Sequence, residues 1–432
     1  MITPVTLFVT IILCCAIIGV SRDKVIPIYV IGMCFVPADQ AIVIAGLDFK
    51  VLRIFALVGC LRIALKSEKG RFKFNQMDWL FMGWVLIGTL AYLALWGTMQ
   101  AFIYKLGMLI DTFLLYYVFR VYLREFNDIK RAMLTLVASM IVLTPLIMIE
   151  HIAGVNPFSI MGRDVISIRE GRTRCSGAFS HAILLGSFAA SIVPISIALL
   201  KSNLSKKRSN KNFYILGVIC SIYVTIASAS SGPILALAAG LLSVLAFRYR
   251  KYTGKITYGL IILAVLLHMV MKAPVWHLIS RIDLTGGSTG YHRFYLIDQT
   301  IKNFGEWALI GVKGVEHWGV WYGDVTSMYI AQGVNGGIVT MILFIWMIVL
   351  CMRVSWKYSM LKMDKGKQWI IWGFFCSFLT HSASFLSVAY FGQINMLLTL
   401  SFVIGALLIS NTKAIKMGKN DKSNQSYEIS AT

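Results

Sequence analysis

Long apolar segments recur along almost the whole chain, and each has about the length needed to cross a bilayer. They include residues 4–20, 79–96, 132–149, 183–200 and 338–352. A spanning helix needs roughly 20 such residues, because its backbone groups must hydrogen-bond within their own segment in lipid. Only 14% of the 432 residues are charged, whereas a soluble domain has about 25%. These features predict an all-α polytopic membrane protein.

The positive charge of the chain is concentrated in short clusters between the apolar segments. The formal net charge is +22, and the clusters lie within residues 66–73, 120–131, 201–211, 248–255, 357–367 and 413–422. Basic residues in alternate loops are the positive-inside signature, so we expect these loops to face the cytoplasm. They explain the charge without nucleic acid as a partner, and anionic membrane lipids are a secondary contact.

The apolar pattern predicts twelve or thirteen transmembrane helices. The segments are 4–20, 25–46, 51–65, 78–97, 104–119, 132–150, 180–200, 213–228, 232–248, 256–271, 327–351, 369–390 and 393–410. Residues 37–40 interrupt the second segment, which is interpreted as a broken or re-entrant element. We therefore divide the chain into N-terminal transmembrane helices (1–150), a core (151–410) and a disordered cytoplasmic tail (411–432).

With the basic loops inside, two chemically rich loops face outward, at 151–181 and 272–327. The first holds four arginines within twelve positions, at Arg163, Arg169, Arg172 and Arg174. The positive-inside bias disfavours such a cluster outside, and guanidinium groups match phosphate oxygens. Arg172 and Arg174 are favoured as phosphate ligands, whereas local pairing explains Arg163 and Arg169 equally well. His181, just after them, is either a helix cap or a substrate contact.

The second outward loop combines glycines, histidines and aromatic residues. Tyr291, His292 and Arg293 follow a glycine-rich stretch that matches no nucleotide-binding motif. Trp318 lies in a later turn-rich section, where aromatic faces either anchor a loop at the membrane interface or stack on sugar rings. The order of residue types in this loop therefore suits a glycan with an anionic group. Nothing in its spacing predicts a metal site or a cofactor.

Four motifs resemble the superfamily of bacterial O-antigen ligases and O-antigen polymerases. Residues 174–186 (RCSGAFSHAILLG) resemble the family's Arg-x-x-Gly-(Thr/Ala)-Phe-x-(His/Asn) segment at the start of a span. Residues 228–233 (SASSGP) are similar to its Ser-Arg-Gly turn. Residues 290–293 with 307–314 resemble its large-loop segment, and residues 324–337 resemble the beginning of the following span. The motifs cover about 174–345, in the family's order.

The resemblance implies a GT-C-like helical fold with a large extracytoplasmic loop, located as a multi-pass protein in the bacterial cytoplasmic membrane. It implies glycosyl transfer without a metal or other cofactor, from a glycan carried on undecaprenyl diphosphate. Arg174 and Arg293 correspond to the diphosphate-binding arginines, with Arg172 as a further ligand. His181, Tyr291 and Trp318 are candidate substrate contacts. A flippase and a chain-length regulator are possible protein partners.

Two departures from the family pattern decide which activity is expected. Ser231 occupies the position of the arginine in the Ser-Arg-Gly turn, so Arg172 is the candidate replacement. The histidine that ligases have before the span at 327 is absent, which leaves Asp324, His317 and His292 as candidate catalytic bases. This favours a polymerase of exopolysaccharide or O-antigen repeat units. The alternatives are a ligase acting on a lipid or protein acceptor, and a transporter or flippase of lipid-linked glycans.

Overall fold

A computed structural model describes residues 2–44, 47–68, 73–164, 166–202, 208–271, 273–281, 290–319 and 325–429. Within them the chain is almost entirely helical. The helices are α1 (Pro4–Gly19), α2 (Val25–Phe35), α3 (Val51–Leu65), α4 (Gln76–Trp96), α5 (Met99–Tyr122), α6 (Phe126–Ala153), α7 (Ala182–Ser202), α8 (Arg208–Ala227), α9 (Ser231–Leu245), α10 (Thr253–Val270), α11 (Gly290–Lys302), α12 (Phe304–Trp307), α13 (Met328–Ser359), α14 (Lys365–Ser384) and α15 (Ile394–Ile429). Two short hairpins pair β1 (Ala41–Ile44) with β2 (Leu47–Lys50) and β3 (Ser167–Arg169) with β4 (Arg172–Arg174).

Eight helical segments of the described chain are long and apolar enough to cross a membrane, which confirms a multi-pass membrane protein. The sequence predicts twelve or thirteen spans, and the difference has identifiable causes. Helices α1, α2 and α3 have 16, 11 and 15 residues, so at 1.5 Å per residue they reach about 24, 16 and 22 Å, against a hydrocarbon core of about 30 Å. Helices α9 and α10 form one continuous segment, so they count as one span where the sequence predicts two. Helix α14 does not meet the same measure of length and apolar character.

The break that the sequence predicts within 25–46 is confirmed, because α2 ends at Phe35 and the chain continues through a turn into the β1–β2 hairpin. Pro37 explains the break, since proline disfavours helix at the residue before it. Helix α15 continues along the tail to Ile429. Lysine, glutamine and glutamate are good helix formers, so a polar composition did not by itself exclude a helix there.

Helix α7 forms the centre of the bundle. It packs against α8, α9 and α14, and its positions from Ala182 to Leu199 are buried with few exceptions. Small residues permit this close packing: a Cβ on Gly186 would collide with Ser228 and Pro233, and one on Gly373 would collide with Ala198. Interfaces built on small residues are characteristic of helices that associate in membranes. Because α7 begins eight residues after β4, the packed core directly adjoins the loop at 151–181.

A break in α13 holds the second loop against the bundle. Gly337 has a φ of 76°, which interrupts the helix. The loop after α12 hydrogen-bonds into this break, from Ile338 N to Ala308 O and from Val312 N to Val334 O, both at 2.8 Å. Side chains on the two glycines at this contact, Gly311 and Gly337, would collide with backbone carbonyls. The glycines of the family-like motif therefore permit close backbone contact between loop and helix.

Ion pairs join the N-terminal helices, and the one between Asp78 and Arg120 is buried. Asp111 pairs with Arg53 at 2.6 Å rather than with Lys105, whose ammonium lies over the Tyr92 ring. Asp78 accepts hydrogen bonds from both Arg120 and Tyr116. Of the two roles open to Asp111 from the sequence, function or structural pairing, this geometry favours pairing. Breaking the buried pair of Asp78 and Arg120 would leave an uncompensated charge in the interior.

Candidate functional site

The β3–β4 hairpin places three arginines of the first loop on one face. Its turn residues Glu170 and Gly171 have φ values of 50° and 72°, the conformation of a two-residue hairpin turn. The register pairs Arg169 with Arg172 and Ser167 with Arg174. Directly opposed residues of an antiparallel pair share a face, as do residues two apart on one strand. Arg169, Arg172 and Arg174 therefore project from the same side, although opposed like charges are unfavourable.

The segment after Arg174 is fixed to the bundle by Glu150, at the end of α6. The buried Glu150 carboxylate accepts hydrogen bonds from the backbone N–H groups of Ser176 and Gly177, both at 2.8 Å. Cys175 N donates to Ala227 O at 3.1 Å, at the end of α8. Hydrogen bonds to a charged acceptor are among the stronger ones in proteins. Arg174 therefore leaves a backbone that is held in one position.

Arg163, in the same loop, has a structural role. Its Nε donates to Phe179 O and its Nη2 to Ser180 O, at 3.1 and 2.5 Å. Its Nη1 pairs with Asp39 at 3.3 Å. All three guanidinium nitrogens of Arg163 are thus used in holding the chain before α7. The arginine cluster therefore consists of one structural arginine and three that have no ion pair within the described residues.

Arg174 lies at the N-terminus of α9. Its Nη2 donates to the hydroxyl of Ser230, the N-cap residue, at 2.9 Å. Its Nε is buried and has no hydrogen-bond partner among the described residues. A helix N-terminus presents unpaired N–H groups and a partial positive charge, both of which favour an anion. Arg174 and the beginning of α9 thus add their positive potentials at one place.

Arg293 reaches the same helix end from the second loop. It is 7% exposed, and its Nε is also buried without a partner in the described part of the chain. Its Nη2 would lie 3.7 Å from a Cβ on Gly232, the second residue of α9. Such a Cβ would also collide with Ser387, so this position has no room for a side chain. The guanidinium of Arg293 therefore lies close to the start of α9.

The arginines of this site carry positive charge that no ion pair with another described residue compensates. Burial, followed by the charge of Arg169, lowers the pKa of the Arg174 guanidinium, and the same two causes lower the pKa of Arg293. Arginine nevertheless remains charged at neutral pH. None of Arg169, Arg172, Arg174 and Arg293 forms an ion pair with another described residue. An anion with several oxygens would satisfy donors that are now unpaired.

A buried series of hydrogen-bonded side chains, which the sequence analysis did not identify, connects α14 with α7. The His381 Nδ1 and the Tyr390 hydroxyl are 2.7 Å apart, and Tyr390 reaches Ser384 and Ser187, whose hydroxyls are 2.6 Å apart. His381 is 1% exposed, and its Nε2 has no partner among the described residues. These residues come from three separate segments, so spacing gave no signal.

His317, one of the predicted bases, forms a pair with Glu306. The His317 Nε2 and Glu306 Oε2 are 2.6 Å apart, and Trp318 Nε1 donates to the same oxygen at 3.0 Å. These hydrogen bonds lower the pKa of the Glu306 carboxyl, with that from His317 having the larger effect. The His317 side chain is 54% exposed, so it is accessible to a substrate. The adjoining turn contacts Tyr295, two residues after Arg293 on α11.

The other predicted residues have less direct connections to this site. His181 is exposed and accepts a hydrogen bond from Ile183 N at the start of α7, as a cap would. Trp318 is buried in a small cluster with Leu296 and Trp307, which favours packing over sugar stacking. Tyr291 is 64% exposed on α11.

Three predicted residues remain: the candidate bases His292 and Asp324, and the candidate phosphate ligand Arg172. His292 is half-buried beside Arg293. Arg172 is exposed and directly follows the turn of the β3–β4 hairpin. Asp324 lies outside the described residues. The arrangement thus brings together Arg169, Arg174 and Arg293, of which only Arg174 and Arg293 were expected to meet.

Comparisons with protein-family models and with curated proteins found no match to this chain.

Proposed function

We propose that the chain is a membrane glycosyltransferase that polymerises lipid-diphosphate-linked oligosaccharide repeat units on the outer side of the bacterial cytoplasmic membrane. The observation that carries the proposal is the convergence of Arg174 and Arg293 at the start of α9, with Arg169 close enough to affect both. Three guanidinium groups without ion-pair partners in the described chain suit a polyanion better than a single carboxylate. A diphosphate at the membrane surface has this chemistry.

In this reaction the acceptor sugar hydroxyl attacks the anomeric carbon of the donor glycan. The bond between that carbon and the diphosphate oxygen breaks, and negative charge develops on the departing lipid diphosphate. Preorganised guanidinium groups and helix N–H groups stabilise this charge without reorganising during the reaction. The unpaired Nε groups of Arg174 and Arg293 are the donors that we assign to the diphosphate oxygens.

The proton of the acceptor hydroxyl requires a base, and we assign this role to His317. Glu306 orients the imidazole, as a carboxylate does for histidine bases in other enzymes. The undecaprenyl carrier remains in the membrane, and the glycan lies over the outward loops.

The experiment that tests this function uses purified protein in detergent with a synthetic undecaprenyl-diphosphate oligosaccharide. We expect polymer from the unaltered protein and none from Arg174→Ala or Arg293→Ala. Lys302→Ala is the matched control, because it removes an exposed cation from α11 that pairs with Asp298 on the same helix. Normal polymer length in both arginine variants would exclude the site.

The same assay separates the alternatives. A transporter or flippase makes no product when there is no membrane to cross, so polymer in detergent rejects that function. A ligase transfers a single glycan to an added lipid or peptide acceptor and does not extend the donor. Products containing two or more repeat units, formed without such an acceptor, therefore identify a polymerase.

A further inference from the structure

A large cavity lies at the opposite ends of the helices that form the arginine site. Its volume is about 1220 Å³, and it opens between the end of α7, the end of α9 and the start of α14. Small-molecule pockets usually measure about 300–1,000 Å³. The arginine site is at the other ends of α7, α9 and α14, beside Ala182, Ser231 and Ser384. Since these helices have 21, 15 and 20 residues, the two sites are separated by about 20–30 Å along the bundle.

One wall of the cavity is apolar. Leu241, Val244 and Leu245 on α9 line it together with Ile197 on α7, and the stacked rings of Phe247 and Trp369, with centroids 3.7 Å apart, add to the lining. Aromatic residues are enriched where a membrane helix reaches the water interface. This wall has the character required for an acyl chain.

The cavity also contains four cationic side chains. Lys201 ends α7, Arg248 and Arg250 follow α9, and Lys365 begins α14. The described lining has one carboxylate, Asp364, and it is occupied as the N-cap of α14, where it accepts from Gly366 N and Lys367 N. The lining therefore has an excess of three positive charges, four cations less one carboxylate, beside an apolar wall.

Arg250 is held in place for an anionic ligand. Its Nη1 donates to Phe247 O and its Nη2 to Gln368 Oε1, at 2.9 and 3.0 Å, while its guanidinium lies over the Phe247 ring. Its Nε is buried and has no partner among the described residues. A guanidinium held in one position, in a cavity with excess positive charge, suits an anionic ligand.

We propose that this cavity binds one anionic phospholipid, with its phosphate at Arg248, Arg250 and Lys365 and an acyl chain along the α9 wall. A soluble anion would use the cations but not the apolar wall, and a neutral lipid would use the wall but leave the charge uncompensated. Basic pockets between membrane helices bind acidic lipid headgroups in this manner. The bound lipid joins the ends of α7, α9 and α14, the same helices that position the arginine site.

The test measures lipid binding by native mass spectrometry and by thermal unfolding in detergent. Phosphatidylglycerol is titrated against phosphatidylcholine for the unaltered protein, for Arg248→Gln/Lys365→Gln and for Lys251→Gln/Lys255→Gln. Lys251 and Lys255 are exposed and do not line the cavity, so the last variant loses equal charge in the same region. We expect one tightly held phosphatidylglycerol and a higher unfolding temperature for the unaltered protein and the control.

The cavity variant should bind phosphatidylglycerol about 30-fold more weakly, since each basic residue near an acidic headgroup contributes roughly fivefold. Equal loss in both double variants would overturn the proposal in favour of general surface attraction. Equal retention of phosphatidylcholine, or full competition by glycerophosphoglycerol, which lacks acyl chains, would also overturn it. If the double variant does not fold, Arg248→Gln alone carries the test, with about fivefold weaker binding expected.

Discussion

Arg169 and Arg172 lie directly opposite each other across the β3–β4 hairpin, so two guanidinium groups leave the same face of a two-stranded sheet. Opposed like charges destabilise a strand pair by a few tenths of a kcal/mol to about 1 kcal/mol. Arg169 also acts on Arg174 and Arg293, whose pKa values it lowers. The hairpin therefore concentrates charge at a cost in stability, and a bound diphosphate would offset that cost.

Replacing Arg169 should weaken binding of the donor without lowering the free energy of unfolding. Arg169→Gln relieves repulsion within the hairpin, so we expect an unchanged or slightly higher free energy of unfolding, by up to about 1 kcal/mol. The same variant should bind the lipid-diphosphate donor less tightly, by roughly 10-fold, because a charged ligand contact is lost. Thermal unfolding and donor titration measure the two effects.

Arg163→Gln is the matched control in the same loop, because Arg163 supports the chain before α7. It should lower the free energy of unfolding by about 1–3 kcal/mol, since two backbone carbonyls lose their donor. If both glutamine variants destabilise the protein equally, the division of the loop into structural and ligand-binding arginines is wrong.

Glu150 should be required for the position of Arg174. Glu150→Gln keeps the size of the side chain but replaces the charged acceptor of two backbone N–H groups with an amide that offers one oxygen. We expect a loss of about 2 kcal/mol in the free energy of unfolding and weaker donor binding. Thr135→Val, which changes an exposed hydroxyl on the same helix, should do neither. Unchanged donor binding in Glu150→Gln would show that the loop is held by other contacts.

The proposed base is tested by comparing His317 with its partner. His317→Gln should lower the polymerisation rate about 100-fold or more, because general bases contribute roughly 10²–10⁴. Glu306→Gln should lower it less, since loss of the carboxylate leaves the imidazole in place but less well oriented. Donor binding should be normal in both. A full rate in His317→Gln would transfer the role to another residue.

The break in α13 should be essential for stability. Gly337→Ala places a Cβ at a φ of 76° and against Leu309 O, which should cost at least about 1–2 kcal/mol. Gly83→Ala is a matched control within a helix, because the nearest atom to its new Cβ is 3.9 Å away. It should be neutral or stabilise by up to about 1 kcal/mol. Unfolding temperatures of the two variants provide the comparison, and equal values would show that the break is dispensable.

Some features of the site were accessible from the sequence and others were not. Arg174 and Arg293 were selected by motif, and the acidic Glu150 at the end of an apolar segment could have been noticed, because ionisable groups at membrane depth are unfavourable unless paired. The partnership of Glu306 with His317 spans eleven positions without a periodic relation. The separation of Arg163 from Arg169 depends on which carbonyls lie nearby, and only the folded chain provides them.

The sequence by itself determined where almost every helix lies, because backbone groups in lipid must be satisfied locally and so impose long apolar segments. It did not determine how many helices are long enough to cross the membrane, since proline at residue 37 and the continuous α9–α10 segment change the count. Only the tertiary structure decided which arginines meet. Their convergence depends on the register of the β3–β4 hairpin, which is local, and on the approach of Arg293 to the start of α9, which joins residues distant in the chain.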